Sequence, residues 1–243
     1  MKKPIILIAS LITFLACHAG FGQSVLSEGQ WLKIGVTEKG LYKIDRDFLQ
    51  KAGVDVSAID PRKLAMYGNG GGGMLPQRNA TPRPFDLIEN GIQVIGEGDG
   101  RFDASDYLLF YGNSPHEYSF ETGCRCFRYE RNLYSDTAYY FLRIDGAVGK
   151  RMLTRESLES PGVKVDAYDD LFAHEVDINK LGKSGRHWQG EIFSSSGNAT
   201  LTFEGGKGAY LAGTEVTMIS SVVTQSFGAS SFDVRVNGNA IFN

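Results

Sequence analysis

Leu32, Ile34 and Val36 alternate with Trp31, Lys33 and Gly35, and no α-helix can keep such a row on one face. The period of two demands a strand half buried in a sheet. Thr37-Glu38-Lys39-Gly40 follows as a turn, and Leu41 to Ile44 returns as a second strand. Lys63 to Tyr67 reads as another strand, closed by the glycine run at 70–73, and Ile92 and Val94 share one face of a further short one. Tyr107 to Tyr111 is a continuous apolar run, which predicts a strand buried on both faces. Ala138 to Ile144 is a strand that includes Tyr139, Tyr140 and Phe141. One short helix is expected, capped by Asp45, with an apolar stripe of Phe48, Leu49 and Ala52 and an end at Gly53. The 30 glycines and the scarcity of helix signals fit a mainly β chain.

Beyond residue 146 the composition changes. Gly146, Gly149, Pro161 and Gly162 sit among charged residues, which places a domain boundary near 155–165. Further on, Trp188 to Phe193, Ala199 to Phe203, Glu215 to Val223 and Phe232 to Val236 read as strands spaced as in a β-sandwich or jelly roll. Asn237-Gly238 is a strong hairpin signal. Its return strand is so short that a sandwich truncated at the C-terminus is expected. The expected organisation is a signal peptide over 1–22, a β-rich domain with one short helix over 24–158, and an incomplete second sandwich over 159–243.

The signal peptide rests on Lys2 and Lys3, followed by the apolar run Ile5 to Ala16, which is short for a membrane span. Cleavage is expected near Ala19 or just before Gln23. Cys17 after Phe14-Leu15-Ala16 is a loose match to a lipoprotein signal, and ordinary cleavage is preferred to lipidation. The chain is thus expected to be exported. Its net charge of -3 becomes more acidic once Lys2 and Lys3 are removed, which argues against nucleic acid as a partner.

Few residues offer chemistry. The run Gly70 to Gly73 lacks the Lys-Ser/Thr of a phosphate loop, and Met74-Leu75-Pro76 cannot open the helix such a loop needs. Glu97, Asp99, Asp103 and Asp106, with Gly100, follow the second half of a calcium loop. The first ligand position falls on Ile95, which has no side-chain oxygen. An Asx-rich turn into the Tyr107 strand is the preferred reading, with Asp99, Asp103 and Asp106 as weak calcium candidates and no other cofactor expected. Cys124 and Cys126, two apart on a strand, would face the same way. Three readings compete for them: small buried side chains, a local disulfide, or half a metal site. Structural cysteines are preferred. His116, His174 and His187 form no recognisable Cys-His or Ser-His-Asp pattern, so no catalytic residue is assigned. Trp188, Tyr210 and Phe227 could line a sugar or peptide groove, but core filling is the commoner use of such rings. Asp136-Thr137-Ala138 is similar to a short bacterial O-glycosylation acceptor, a tripeptide common by chance.

Five segments, taken together, carry a resemblance: Trp31 to Ile44 (WLKIGVTEKGLYKI), Lys63 to Pro76 (KLAMYGNGGGGMLP), Gly98 to Gly112 (GDGRFDASDYLLFYG), Tyr129 to Leu142 (YERNLYSDTAYYFL) and Ser184 to Phe193 (SGRHWQGEIF). In this order they resemble the N-terminal region of the type IX secretion sortases, PorU-type members of the gingipain-like cysteine peptidase family. The resemblance implies an outer-membrane, cell-surface protein whose catalytic His and Cys lie in a caspase-like domain beyond Asn243. That domain would cleave C-terminal sorting domains from cargo proteins and attach the cargo to anionic lipopolysaccharide. The resemblance also implies a PorV-like outer-membrane β-barrel as a partner. Two other readings compete: a secreted adhesin or glycan-binding β-sandwich, and an inhibitory prodomain of a gingipain-like protease.

Overall fold

A computed structural model describes residues 22–70, 84–160, 162–182, 187–193, 197–203, 211 and 213–242. Residues 1–21 of the expected signal peptide, Cys17 among them, as well as Tyr210 and glycines 71–73 lie outside the described residues. The chain divides into two compact units, Met1–Pro161 and Gly162–Asn243.

In the first unit the elements run β1 (Trp31–Val36), β2 (Gly40–Asp45), α1 (Arg46–Lys51), β3 (Ala65–Tyr67), β4 (Glu89–Asn90), β5 (Gln93–Ile95), β6 (Tyr107–Gly112), β7 (Glu117–Glu121), β8 (Cys126–Glu130) and β9 (Ala138–Arg143), with short 3-10 turns between them. The alternation that opens the chain is realised in β1, where Ile34 and Val36 are buried while Lys33 and Gly35 are exposed. The strand after the turn does not pair with it. β1 pairs antiparallel with β9, Ile34 opposite Tyr140, whereas β2 pairs antiparallel with β6, Ile44 opposite Leu108. The turn at 37–39 therefore carries the chain from one sheet to the other.

The two sheets are ordered β1-β9-β3-β4 and β2-β6-β5. Their inner faces share one core. Ile34, Val36, Met66, Tyr140 and Leu142 come from the first sheet, and Ile44, Val94, Leu108 and Phe110 from the second. The Phe110 and Tyr140 rings meet between the sheets at a centroid distance of 5.3 Å, within the range of favourable aromatic contact. Tyr140 also keeps its polar end satisfied, its hydroxyl accepting the backbone N–H of Asn113 at 2.8 Å.

β6 corrects one expectation. Leu108 and Phe110 are buried, but Tyr107 and Leu109 are half-buried and Tyr111 is 49% exposed. The strand is central in a sheet that has only one covered face, so its apolar run is split between core and surface. The Lys43 ammonium, 4.8 Å from the Tyr107 ring centre, lies over part of that outer face.

The expected helix is six residues long and too short to hold by itself. Asp45 caps it by accepting the N–H of Phe48 at 3.0 Å, and Gly53 leaves it with φ +81°. Of the apolar stripe read from the sequence, Leu49 alone is buried; Phe48 and Ala52 are exposed. Burying Leu49 contributes roughly 2 kcal/mol, which fastens the helix to the core.

The second unit departs further from the sequence reading. The Asn-Gly hairpin forms: β10 (Val234–Val236) pairs antiparallel with β11 (Asn239–Phe242), and Asn237 and Gly238 take φ +51° and +83°. The other described residues carry one isolated bridge, Asn179 to Gln189. The strands expected over 188–193, 199–203 and 215–223 are not formed among the described residues. Alternation makes a strand only when backbone N–H and C=O groups find a neighbour. Here Val216, Ile219 and Val223 stay exposed and no ladder joins them. The chain is mainly β, and the described residues form antiparallel sheets and one α-helix, with no closed barrel among them.

Candidate functional site

The aspartates of the candidate calcium loop are used inside their own turn. Asp106 is buried, and its Oδ2 accepts the backbone N–H of Asp103 at 2.8 Å. Its Oδ1 accepts the Ser105 hydroxyl at 3.4 Å. Asp99 Oδ1 accepts the N–H of Arg101 at 3.0 Å. The Asp99 bond is an Asx turn, whereas Asp106 reaches back to close the 103–106 turn that leads into β6. Gly96, at φ +91°, has no room for a Cβ because the Asp106 carboxylate occupies that space. Glu97 turns elsewhere, to Arg151. Among the described residues no group of three His, Cys, Asp or Glu side chains is arranged to hold a metal.

The cysteines correct another expectation. Cys124 lies in the turn between β7 and β8, and Cys126 opens β8, so the two do not share a strand face. They are joined as a disulfide, with Cα atoms 5.2 Å apart, inside the span a bridge requires. The preferred reading of small buried side chains fails because the turn is at the surface: Cys124 is exposed and Cys126 half-buried. Arg125 between them takes φ +51°, a left-handed conformation uncommon for a residue with a Cβ. That backbone reversal is what turns the two sulfurs toward each other.

The β7–β8 hairpin displays an aromatic face. Tyr118 lies opposite Tyr129 and Phe120 opposite Phe127, with ring centroids 4.8 and 5.2 Å apart. Tyr118 and Phe120 remain 55% and 51% exposed. The other face is charged: Glu117 lies opposite Glu130, and Arg128 Nε contacts Glu121 Oε1 at 2.9 Å.

At the hairpin base, His116 Nδ1 accepts the N–H of Asn132 at 3.1 Å. The ring proton of the neutral imidazole therefore sits on Nε2, 3.5 Å from Asp136 Oδ1. Arg131 Nη2 meets the same oxygen at 3.0 Å. Ser114 donates its hydroxyl to the Thr37 carbonyl at 3.1 Å and accepts the N–H of His116 at 3.1 Å. Serine, histidine and aspartate are thus neighbours, yet Ser114 is engaged with backbone and receives no activation from the ring. The arrangement fixes the hairpin root rather than preparing a nucleophile.

In the second unit His174 Nε2 pairs with Glu191 Oε1 at 2.7 Å, and this bond holds the Glu191 carboxyl below its ordinary range. Trp188 is half exposed with the Lys180 ammonium 5.8 Å from its ring, and Phe227 is exposed. Neither fills a core as expected, because no paired sheet covers them among the described residues.

Sequence reasoning missed Arg151. Its guanidinium forks onto Glu97, with Nε to Oε2 at 2.9 Å and Nη2 to Oε2 at 2.7 Å. It also donates to the carbonyls of Leu64, Pro61 and Arg62. No local pattern marks it, since its partners lie 54 to 90 residues earlier.

The sequence matches no protein-family description. It is significantly similar to no curated protein. Among solved structures it is similar to the crystal structure of dimeric latent PorU from Porphyromonas gingivalis, at 26% identity and a TM-score of 0.49. The similarity covers 65% of this chain and 13% of that one, so the chain spans a small fraction of that protein's length.

Proposed function

We propose that this chain is the non-catalytic N-terminal part of a cell-surface sortase of the PorU type. The observation that carries the reading is where the resembling segments fall. Trp31 to Ile44, Lys63 to Pro76, Gly98 to Gly112 and Tyr129 to Leu142 contain β1, β2, β3, β6 and β9 in whole or in large part. The likeness therefore lies in residues that build two facing sheets and not in a passing surface motif.

In this reading the reaction belongs to a peptidase domain elsewhere in the parent protein. Its thiolate attacks the peptide bond before a cargo's C-terminal sorting domain and forms a thioester. An amine on anionic lipopolysaccharide then takes the acyl group. The present chain holds that domain at the outer membrane, beside a PorV-like barrel and the arriving cargo. Cys124 and Cys126 close a turn, and His116 and His174 are engaged in local contacts.

The coding DNA downstream of Asn243 tests the proposal. It should continue in frame into an α/β domain with a His and a Cys near strand ends. A stop codon followed by an unrelated gene would overturn it.

A further inference from the structure

The β7–β8 hairpin differs from the rest of the first unit in what holds it. Among the described residues β7 and β8 pair only with each other, and none of their residues belongs to the buried core. A two-stranded ribbon of this kind is marginal by itself in water. Its cross-strand rings are half exposed and contribute a modest amount. Two features close the ribbon at its ends: the His116–Asn132 bond at the root and the Cys124–Cys126 bridge at the tip. The bridge spans two residues, so it restricts little of an unfolded chain and acts locally. Its local effect is on Arg125, whose left-handed backbone places Cys126 opposite Glu121 and so sets the register of the whole ladder. Cys124 is exposed, and a soluble thiol can reach it.

We infer that the Cys124–Cys126 bridge is a thiol–disulfide exchange site for an external dithiol, and that its redox state fixes or frees the aromatic hairpin. A thiolate of the dithiol attacks one sulfur of the bridge. The S–S bond breaks, and its electron pair leaves on the other cysteine, which takes up a proton. The second thiol of the reductant, as thiolate, then attacks the mixed disulfide and releases the first cysteine. Two electrons pass to the protein, and the dithiol departs as a disulfide. Arg125 is then free to leave the left-handed region. The ladder loses its register at the tip, while the core around Phe110 and Tyr140 is untouched.

Hydrogen exchange of the chain, with and without dithiothreitol under native conditions, tests this. Amides in 117–121 and 126–130 should exchange about tenfold faster in the reduced protein, the closure entropy of so short a loop. Amides of β1, β6 and β9 should not change. Alkylation after mild reduction should add two groups to the 117–130 peptide of a still-folded chain. The double variant Cys124→Ser, Cys126→Ser should exchange at the fast rate without reductant and ignore its addition. Equal hairpin exchange in both redox states would overturn the proposal, as would a bridge that resists the dithiol until the core unfolds.

Discussion

Arg151 gathers backbone carbonyls from the 3-10 turn at 61–63 and from Leu64, and it grips Glu97 from the far side. A planar guanidinium can satisfy all of these at once because its five N–H groups lie in one fork. Arg151→Ala leaves the carbonyls to partial water and Glu97 alone. The pair is about a quarter exposed, so solvent recovers part of the loss. The expected cost is about 2 kcal/mol, read from the denaturant midpoint, and Arg151→Lys should restore less than half, since an ammonium cannot fork. Equal stability of the lysine variant and the parent would show that charge alone matters here. The sequence offered Glu97 as part of an acidic loop, and its true partner was hidden by the distance along the chain. Asp106 was more legible: its spacing from Asp103 and the nearby glycines announced a turn, and a turn is what it holds together.

At the level of elements, aspartates at caps and turns link the fold to pH. The N–H of Phe48 holds the Asp45 carboxyl below its ordinary value of 3.8. The Ser57 side chain does the same for Asp55, and Arg62 for Asp60. Asp86 is lowered by the N–H groups of Leu87 and Val25, which pins the segment before β1. A carboxyl depressed in the folded state binds its proton more readily when unfolded, so acid favours unfolding. The stability these groups provide is fully present above their ordinary range. It is lost as pH falls below about 4 toward their lower folded values. The thermal midpoint should therefore be flat near neutrality and fall in that acid window. Asp45→Asn should keep the helix cap while reducing the fall; a variant that titrates like the parent would remove Asp45 from the account. Alternation in the sequence marked β1, β2 and β9 correctly as strands, but it could not name their partners. Pairing is decided by which buried faces meet, and Ile34 meets Tyr140 and not the strand that follows it. The same gap explains β6, whose apolar run could not reveal that one face lacks a cover.

Across the whole molecule, the two units show how far a strand pattern reaches. In the first, the apolar segments read as strands among the described residues found partners and a common core. In the second, the Asn-Gly hairpin formed because its turn is encoded in two residues, while longer alternating stretches stayed unpaired among the described residues. Turn chemistry is local, whereas sheet formation needs distant strands. The proposed role lies with the first unit: a rigid two-sheet platform that positions a peptidase domain supplied by the parent protein. The most direct measurement is made in the source organism. Residues 24–158 are deleted in frame from the chromosomal gene, with residues 1–23 and everything downstream retained. The account predicts that cargo proteins keep their C-terminal sorting domains and fail to reach the lipopolysaccharide anchor. Normal cleavage and anchoring in that strain would contradict it.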